Sequence, residues 1–494
     1  MKSLRQASLS GARWTLLARV GLQLVTWPIT LVVMRLLEPG DYGLFAIALL
    51  ASGFITLFSE LGLGVALVQA TEVTPEQQRA AATVLLLLNA VIALAIAAAA
   101  PLVALVFGEP DVTLVMWVLT VELLLAACAM VPMAMLERAL KFREIAIAQM
   151  AGGVAGAVAT LVAAWIDVDV WALVIGALTT ATVRSGLCVA FHGRLVLPGR
   201  VQMAMLRPMV KVSSHVIAVR ALWYWSGQAD QLVLGRMLHT SALGLYNVAA
   251  QLAMLPAGKA MEVVNRVTLP VLSRLQDDGS GVRATYRRLV GMLALYGMGV
   301  CWGLAAVAPE FVELALGPKW LAAAVPLALL SLVAPLRMFC AFNNTVVTAF
   351  GKPEAATREL LLAAVLLPVA VALGAGLDGL RGASLAWLAA YPAVYLVSTH
   401  LTARAIGLPR LHALSVVWRP LLAGLAMLAA VALLRQALGA GVPVAWRLAG
   451  GIAVGGLSYL AAIWLLARAL LLDTHGLVLD ILRPQRNSRP NPPP

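Results

Sequence analysis

Long apolar segments separated by short polar ones dominate the chain. Apolar runs of roughly 20 residues match the hydrocarbon core of a bilayer, because an α-helix rises about 1.5 Å per residue. The pattern predicts an all-α polytopic membrane protein with little chain left for a soluble domain. The fourteen predicted membrane helices are 13–37, 42–67, 80–106, 112–135, 145–166, 170–191, 212–235, 243–270, 289–314, 320–348, 359–376, 380–401, 418–438 and 447–470.

The distribution of Lys and Arg predicts the orientation of these helices. Successive loops must lie on alternate sides of the membrane. Loops of one side, together with both termini, carry most of the basic residues, and the positive-inside rule places that side in the cytoplasm. Both termini are therefore predicted to be cytoplasmic. The basic residues in loops of the opposite side are Arg35, Arg236, Lys319, Arg381, Arg435 and Arg447.

Composition excludes several classes of protein. Of the 494 residues, 62% are hydrophobic and only 12% are charged, which excludes an ordinary soluble globular protein. The net charge of +13 would suggest nucleic-acid binding in a soluble chain, but here it follows from membrane orientation, so no nucleic-acid partner is expected. The six histidines are scattered and the four cysteines fall in apolar segments, so the pattern predicts no disulfide framework, metal or cofactor.

An internal repeat divides the predicted helices. RLLEPGDYGLFAIA begins at Arg35 and RMLHTSALGLYNVA begins at Arg236, an offset of 201 residues. The offset spans six predicted helices, an even number, so both copies enter the membrane in the same direction, as in parallel transporter repeats. Chance similarity between helices of like composition is the alternative. The aligned pairs are Arg19 with Arg220, Arg35 with Arg236, Gly43 with Gly244, and Leu44 with Leu245.

The repeat predicts the domain organisation. Two pseudo-symmetric six-helix bundles are expected at 1–191 and 212–401. The basic connection at 192–211 is either a flexible linker or an amphipathic elbow on the cytoplasmic leaflet, and we favour the elbow. Two additional membrane helices occupy 402–470, and the Pro-rich tail at 471–494 is expected to be partly disordered.

Charges inside the predicted helices mark the candidate site, because each Arg or Lys at mid-membrane costs about 2.5–3.5 kcal/mol to insert. Lys259, Glu262 and Arg266 form one net-positive helical stripe. This stripe predicts the cationic wall of a cavity for an anionic substrate, with an internally satisfied salt bridge as the alternative. Arg19 and Arg220 suit a pyrophosphate if both point inward, because guanidiniums fork onto phosphate oxygens; otherwise each pairs locally.

Further residues complete this candidate site. Arg337 lies deep in its predicted helix and joins the cationic set. Glu60 and Asp230, like Glu262, are candidate ion-pair or coupling partners. Trp223 and Trp225 lie near the predicted middle of the membrane, where they could stack on sugar rings, although ordinary helix packing is the alternative.

Catalytic motifs are absent from the sequence. It contains no GxxxxGK[ST], HExxH or GxSxG pattern, and every predicted outer loop is short. The sequence therefore favours a transporter over an enzyme.

Five segments follow one another in a characteristic order and spacing: RLLEPGDYG at 35–43, LGLGVALVQ at 61–69, RALKFR at 138–143, the stretch from Asp230 to Tyr246, and AFGKP at 349–353. Together they resemble the polysaccharide-exporting flippases, the Wzx-like branch of the MOP superfamily. The resemblance covers about residues 1–410, and no single motif is diagnostic.

The resemblance implies a bacterial inner-membrane flippase with two bundles around a cationic cavity, working by alternating access. Its substrate would be an undecaprenyl-pyrophosphate-linked oligosaccharide, moved from the cytoplasmic to the periplasmic leaflet for exopolysaccharide, O-antigen or capsule assembly. Candidate partners are the lipid bilayer and the polysaccharide polymerase and chain-length machinery. The alternatives are a polytopic polymerase or ligase, which would carry a long periplasmic loop, and a MOP-type drug or cation antiporter, which would favour an acidic cavity.

Overall fold

The computed structural model describes residues 21–56, 59, 63–70, 72–199, 214–274, 279–408, 415–439 and 441–482, with helix backbone alone at 214–220, 266–274 and 469–482. Within these ranges the fold is entirely helical and contains no strand, as predicted. The start of the first predicted helix, most of the predicted elbow and the end of the tail lie outside the described residues.

The chain divides into two compact units. The first unit comprises Met1–Val248, Ala315–Trp320 and Ala375–Leu380, and the second comprises Ala249–Leu314, Leu321–Gly374 and Arg381–Pro494. The division into bundles at 1–191 and 212–401 stays a prediction.

Eight helices and the start of a ninth form the described part of the first unit. Helix α4 shows how the sequence sets their bounds. Thr74 and Gln77 exchange hydrogen bonds in a capping box, and Pro75 follows at the first helical position. The helices are α1 (Gly21–Leu36), α2 (Pro39–Thr56), α3 (Leu63–Gln69), α4 (Pro75–Phe107), α5 (Asp111–Arg138), α6 (Phe142–Trp165), α7 (Trp171–His192), α8 (Ser214–Met237) and α9 (Thr240–Arg274).

Small residues let α6 and α7 pack closely. A Cβ atom at Gly156 would overlap the hydroxyl of Thr180, and one at Gly176 would overlap the hydroxyl of Thr160. Each of these hydroxyls donates to a carbonyl oxygen of its own helix, so its hydrogen-bonding capacity is satisfied inside the helix. Close contact through small residues and threonine is typical of helices that associate in membranes.

The second unit contains the rest of α9 and the later helices. They are α10 (Gly279–Tyr296), a π-helical segment (Gly297–Cys301), α11 (Trp302–Ala306), α12 (Ala308–Phe311), a second π-helical segment (Val312–Leu316), a 3₁₀ helix (Pro318–Ala323), α13 (Ala324–Ala349), α14 (Pro353–Ile406), α15 (Trp418–Leu438) and α16 (Val444–Leu482). Part of the segment 312–323 belongs to the first unit.

Helix α14 is a hairpin of two arms. Asp378 and Gly379 leave helical dihedral angles, and Gly379 has a φ of 50°, which glycine adopts without strain. The ammonium of Lys352 donates to the carbonyl oxygen of Ala405 at 2.9 Å, which brings the two ends of the segment together. The break falls between the helices predicted at 359–376 and 380–401.

Membrane-spanning helices are confirmed, although their number is not. Nine helices within the described residues are long and apolar enough to cross a membrane, or ten if the bent pair Gly21–Leu36 and Pro39–Gly53 forms one span. The chain is therefore a multi-pass membrane protein. The count of fourteen spans stays a prediction.

Candidate functional site

The two copies of the internal repeat meet in the first unit. A Cβ atom at Gly43 would overlap the carbonyl oxygen of Thr240, and a Cβ atom at Gly244 would overlap the carbonyl oxygen of Pro39. Pro39 and Thr240 are themselves related by the 201-residue offset. The α1–α2 turn and the α8–α9 turn therefore cross each other through one contact made twice, and we call this contact the glycine crossing.

The α1–α2 turn also holds the segment Ala315–Trp320. The indole Nε1 of the buried Trp320 donates to the carbonyl oxygen of Met34 at 2.6 Å. The Trp320 ring packs edge-on against Tyr42, with centroids 5.3 Å apart. Lys319 pairs with Glu38 at 2.7 Å, and both side chains of this ion pair are largely exposed. One turn of the chain thus contacts both the second repeat copy and this later segment.

The predicted cationic stripe begins on α9. Lys259 Nζ lies 3.9 Å from Glu262 Oε2, and the two side chains are 48% and 35% exposed. Such a long contact between partly exposed groups contributes little to stability. Arg266 lies one turn further along α9, where the structure describes helix backbone but not the side chain.

Arg337 lies on α13 against the second arm of α14. Its guanidinium carbon is 4.8 Å from the centroid of the Trp387 ring, and Trp387 is buried. A cation above an indole face is attracted by the electron density of the ring. Arg337 is therefore held in place by an aromatic side chain.

The predicted coupling residue Asp230 is buried on α8. Its Oδ2 accepts a hydrogen bond from the Tyr246 hydroxyl at 2.6 Å, and its Oδ1 accepts from the backbone N–H of Gln231 at 2.9 Å. The bond from Tyr246 joins α8 to α9 within the first unit. Any pairing of Asp230 with Arg220 lies outside what the structure describes.

Among the aromatic residues at 223–225 of α8, Tyr224 contacts α2. Tyr224 donates its hydroxyl hydrogen to the carbonyl oxygen of Leu50 at 2.7 Å, against the space left by Gly53. Trp223 and Trp225 are 68% and 43% exposed. Sugar stacking by these two tryptophans stays a prediction.

Three other predicted site residues fall outside the described side chains. Arg19 and Glu60 lie outside the described residues, and Arg220 is described only as helix backbone. The proposed convergence of Arg19 and Arg220 therefore stays a prediction.

An apolar groove of about 610 Å³ lies in the second unit. Helix α10 and its π-helical segment form one wall, and α15 and α16 form the other. π-helical segments occur frequently at functional sites. The Tyr459 hydroxyl donates to the carbonyl oxygen of Leu295 at 2.7 Å, which fastens α16 across the groove. Lining residues include Tyr296, Gly299, Val300, Met427, Gly455 and Tyr459.

Two acid–base pairs attach α15 and α16 near this groove. Arg435 binds the buried Glu310 through Nε and Nη2, each at 2.7 Å, and Nη2 also donates to the carbonyl oxygen of Ala306. Arg447 reaches Glu313 at 3.5 Å. A forked arginine–carboxylate pair fixes both position and orientation.

A chain of buried polar groups crosses the second unit. Tyr286 on α10 donates to Asn343 Oδ1 at 2.8 Å, and Asn343 Nδ2 donates to Ser398 Oγ at 3.2 Å. Ser398 in turn donates to Glu359 Oε2 at 3.2 Å. The chain joins α10, α13 and both arms of α14, and it ends on a carboxyl group that is almost completely buried.

Glu359 and Glu310 were not among the site residues predicted from the sequence. The predicted helix began at residue 359, which placed that carboxyl at the edge of the membrane, whereas α14 begins six residues earlier at Pro353. Glu310 lies on a short helix in an apolar region, and Arg435 was interpreted only as a loop charge. For Glu310 the available signal was a carboxylate within an apolar segment, whereas Glu359 directly follows Arg358 at the edge of its apolar run.

Comparison with known proteins decides the family. A family model described as polysaccharide biosynthesis protein matches residues 32–325, more than half of the chain. The chain belongs to this polysaccharide biosynthesis protein family.

Relatives of this family member cover most of its length. The lipopolysaccharide biosynthesis protein WzxC of Escherichia coli (strain K12) is 24% identical over 390 residues, which are 78% of this chain and 79% of WzxC. The succinoglycan biosynthesis transport protein ExoT of Rhizobium meliloti (strain 1021) is 27% identical over 466 residues, which are 93% of each chain. The predicted resemblance to Wzx-like proteins is confirmed.

A solved structure of another protein shares the fold of this chain. Lipid II flippase MurJ, in an inward closed conformation, matches with a TM-score of 0.71 at 12% identity, over 92% of this chain and 99% of MurJ. At that identity the match shows a shared fold alone.

Proposed function

We propose that this protein is a flippase for an undecaprenyl-pyrophosphate-linked oligosaccharide in the bacterial inner membrane. It moves the lipid-linked sugar from the cytoplasmic to the periplasmic leaflet by alternating access through a cationic cavity. Family membership and the named relatives WzxC and ExoT support a role in polysaccharide assembly. The match to MurJ supports a fold capable of this task.

The observation that carries the proposal is an apolar groove in contact with the helix that carries Lys259. Tyr296 lines the groove, and its hydroxyl donates to the carbonyl oxygen of Pro256 at 3.2 Å. Pro256 lies on α9, three residues before Lys259, which is less than one helical turn of about 5.4 Å. An isoprenoid chain needs apolar surface, and its pyrophosphate needs positive charge. Both are therefore available within a short distance in one unit.

The transmembrane potential favours the proposed direction of transport. A lipid pyrophosphate carries roughly two negative charges, and the cytoplasm is electrically negative. Moving negative charge outward is favoured by about 2.3 kcal/mol per charge for each 100 mV. Protein cations that move with the substrate would reduce this driving force.

The proposal keeps the predicted topology. Both termini are cytoplasmic, fourteen helices span the membrane, and two six-helix bundles at 1–191 and 212–401 move relative to one another. The connection at 192–211 forms an elbow on the cytoplasmic leaflet, and the helices in 402–470 contribute α15 and α16 to the groove wall.

Replacement of Lys259 tests the proposal. In a strain that lacks the native gene, Lys259→Ala should reduce polymer export by at least about tenfold, equivalent to about 1.4 kcal/mol of transition-state stabilisation. Lys259→Arg should retain most export because it keeps the positive charge. Lipid-linked oligosaccharide should accumulate on the cytoplasmic leaflet in the alanine strain, and membrane blots of both variants control for insertion.

Normal export by Lys259→Ala at normal abundance would remove the cationic-cavity mechanism. If the deletion strain instead accumulated single repeat units on the periplasmic leaflet, the protein would act in polymerisation and the flippase proposal would fail. Drug efflux without any export defect would favour the antiporter alternative.

A further inference from the structure

We propose that Glu359 is the proton-binding site through which a proton gradient acts on this transporter. The inference rests on the proposed function for its role in transport, although the site itself can be tested without any substrate. It begins with the position of the carboxyl group, which is 4% exposed and lies on the first arm of α14, inside a helix apolar enough to span a membrane.

The hydrogen-bond chain shows which hydroxyl hydrogen is donated to Glu359. Ser398 has one hydroxyl hydrogen, and its oxygen already accepts from Asn343 Nδ2. That hydrogen is therefore free to point at Glu359 Oε2. The side chains of Asn344 and Cys340 also lie within hydrogen-bonding reach of the carboxyl. The carboxyl group thus sits in a prepared polar pocket inside an apolar helix bundle.

A second feature of Glu359 is its set of charged neighbours. Among the described residues, no Lys or Arg side chain forms an ion pair with it; the acidic partners of the ion pairs in the second unit are Glu262, Glu310 and Glu313. An ionised carboxylate buried without a counter-ion is unfavourable, because the surrounding hydrogen bonds only partly replace its hydration. A proton bound to the carboxyl removes this charge.

The titratable groups around the carboxyl are a thiol and phenols, and one guanidinium lies close to them. Helix α13 contributes Cys340, the second arm of α14 contributes Tyr391 and Tyr395, and α10 contributes Tyr286 through Asn343. Arg337 lies near Tyr391, but its guanidinium is stacked on Trp387. Among the described residues of this cluster, Glu359 supplies the carboxyl group.

The step itself is simple. A carboxylate oxygen of Glu359 takes a proton from water on one side of the membrane, forms an O–H bond and becomes neutral. When a conformational change admits water to the pocket, the O–H bond breaks and the proton returns to water. No other bond changes. The closed pocket accommodates only the neutral carboxyl group. A higher proton concentration therefore increases the population of the closed conformation.

Infrared difference spectroscopy tests the site without a substrate. The full-length protein in lipid is stepped through pH, and wild type is compared with Glu359→Gln. We expect a carboxyl C=O band in wild type that disappears as the pH is raised and that is missing from Glu359→Gln. Ser398→Ala should move this band to a different frequency, because it removes the hydrogen bond to Oε2. Glu354→Gln is the matched control, since Glu354 is an exposed carboxyl on the same helix, and it should leave the band unchanged.

Reconstituted vesicles with an imposed pH gradient test the coupling. If one proton moves per cycle, each pH unit should change the accumulation ratio of undecaprenyl-pyrophosphate-linked oligosaccharide about tenfold, and Glu359→Gln should abolish this dependence. The inference is overturned if no band is lost in Glu359→Gln, if that variant keeps the wild-type response to pH, or if transport follows a sodium gradient instead. A titrating band without oligosaccharide translocation would support the proton site while refuting the proposed function.

Discussion

Alanine at position 43 should weaken the glycine crossing. A methyl group there would overlap the carbonyl oxygen of Thr240, and backbone atoms cannot rotate away as a side chain can. Overpacking of this kind costs about 1–3 kcal/mol. Alanine also gains up to about 1 kcal/mol over glycine in helix propensity. With the full propensity gain, the net loss in free energy of unfolding should therefore be about 0–2 kcal/mol.

Gly227→Ala provides the matched control. Gly227 lies within α8, and a Cβ atom there would meet nothing within 4 Å. The variant should be neutral or slightly stabilised, so the difference between the two variants isolates the steric cost. Equilibrium unfolding in detergent measures this difference, which should be about 1–3 kcal/mol.

A double variant tests whether the two glycines share one contact. Once Gly43→Ala has separated the turns, Gly244→Ala should add little. The double variant should be less destabilised than the sum of the single variants by about 0.5–3 kcal/mol. Strict additivity would mean that the two close approaches are independent, and the single crossing would have to be abandoned.

Disulfide formation reports the same geometry directly. A Cβ atom at Gly40 would lie 3.4 Å from Ser241 Oγ, so Gly40→Cys combined with Ser241→Cys should cross-link readily. Adding Gly43→Ala should slow this reaction, whereas adding Gly227→Ala should not. If Gly43→Ala matches Gly227→Ala in both stability and cross-linking rate, the steric reasoning is refuted.

Two further predictions concern the walls of the groove. Glu310→Gln should lower the free energy of unfolding toward the lower end of about 3–5 kcal/mol, since it leaves the Arg435 guanidinium without a counter-ion while that side chain is 39% exposed. Denaturant titration in detergent checks this, and a loss below about 0.5 kcal/mol would contradict it. Tyr459→Phe should cost about 1 kcal/mol, because it removes one hydrogen bond to Leu295 and keeps the ring. A shift in thermal midpoint measures it, and an unchanged midpoint would show that the hydroxyl does not fasten α16.

Hydropathy predicted the presence of membrane-spanning helices, because the thickness of the bilayer sets the length of an apolar helix. It set their ends less well. Helix α10 begins at Gly279, ten residues before its prediction, because its first turns are amphipathic. Val282 and Tyr286 are buried there, while Arg287 and Arg288 are exposed. Polar residues on one face of a helix were thus interpreted as a loop.

The repeat identified Gly43 and Gly244 as equivalent, but it could not show that they touch. Contact depends on how two turns cross, which no linear pattern contains. The buried polar chain had the same limitation, because Tyr286, Asn343 and Glu359 come from three elements far apart in sequence. The periodicity within one helix could be predicted from the sequence, whereas contacts between helices could not.

The glycine crossing has the form of a two-fold symmetric interface. Gly43 of the first turn packs against the second turn, and Gly244 of the second turn packs against the first. The two contact surfaces are therefore equivalent and complementary to each other. Two separate, identical polypeptides could make this contact as well as one long chain can, because isologous association requires only one surface used twice. A half-length protein that carried only the first turn would present the same glycine and carbonyl oxygen to a second copy of itself.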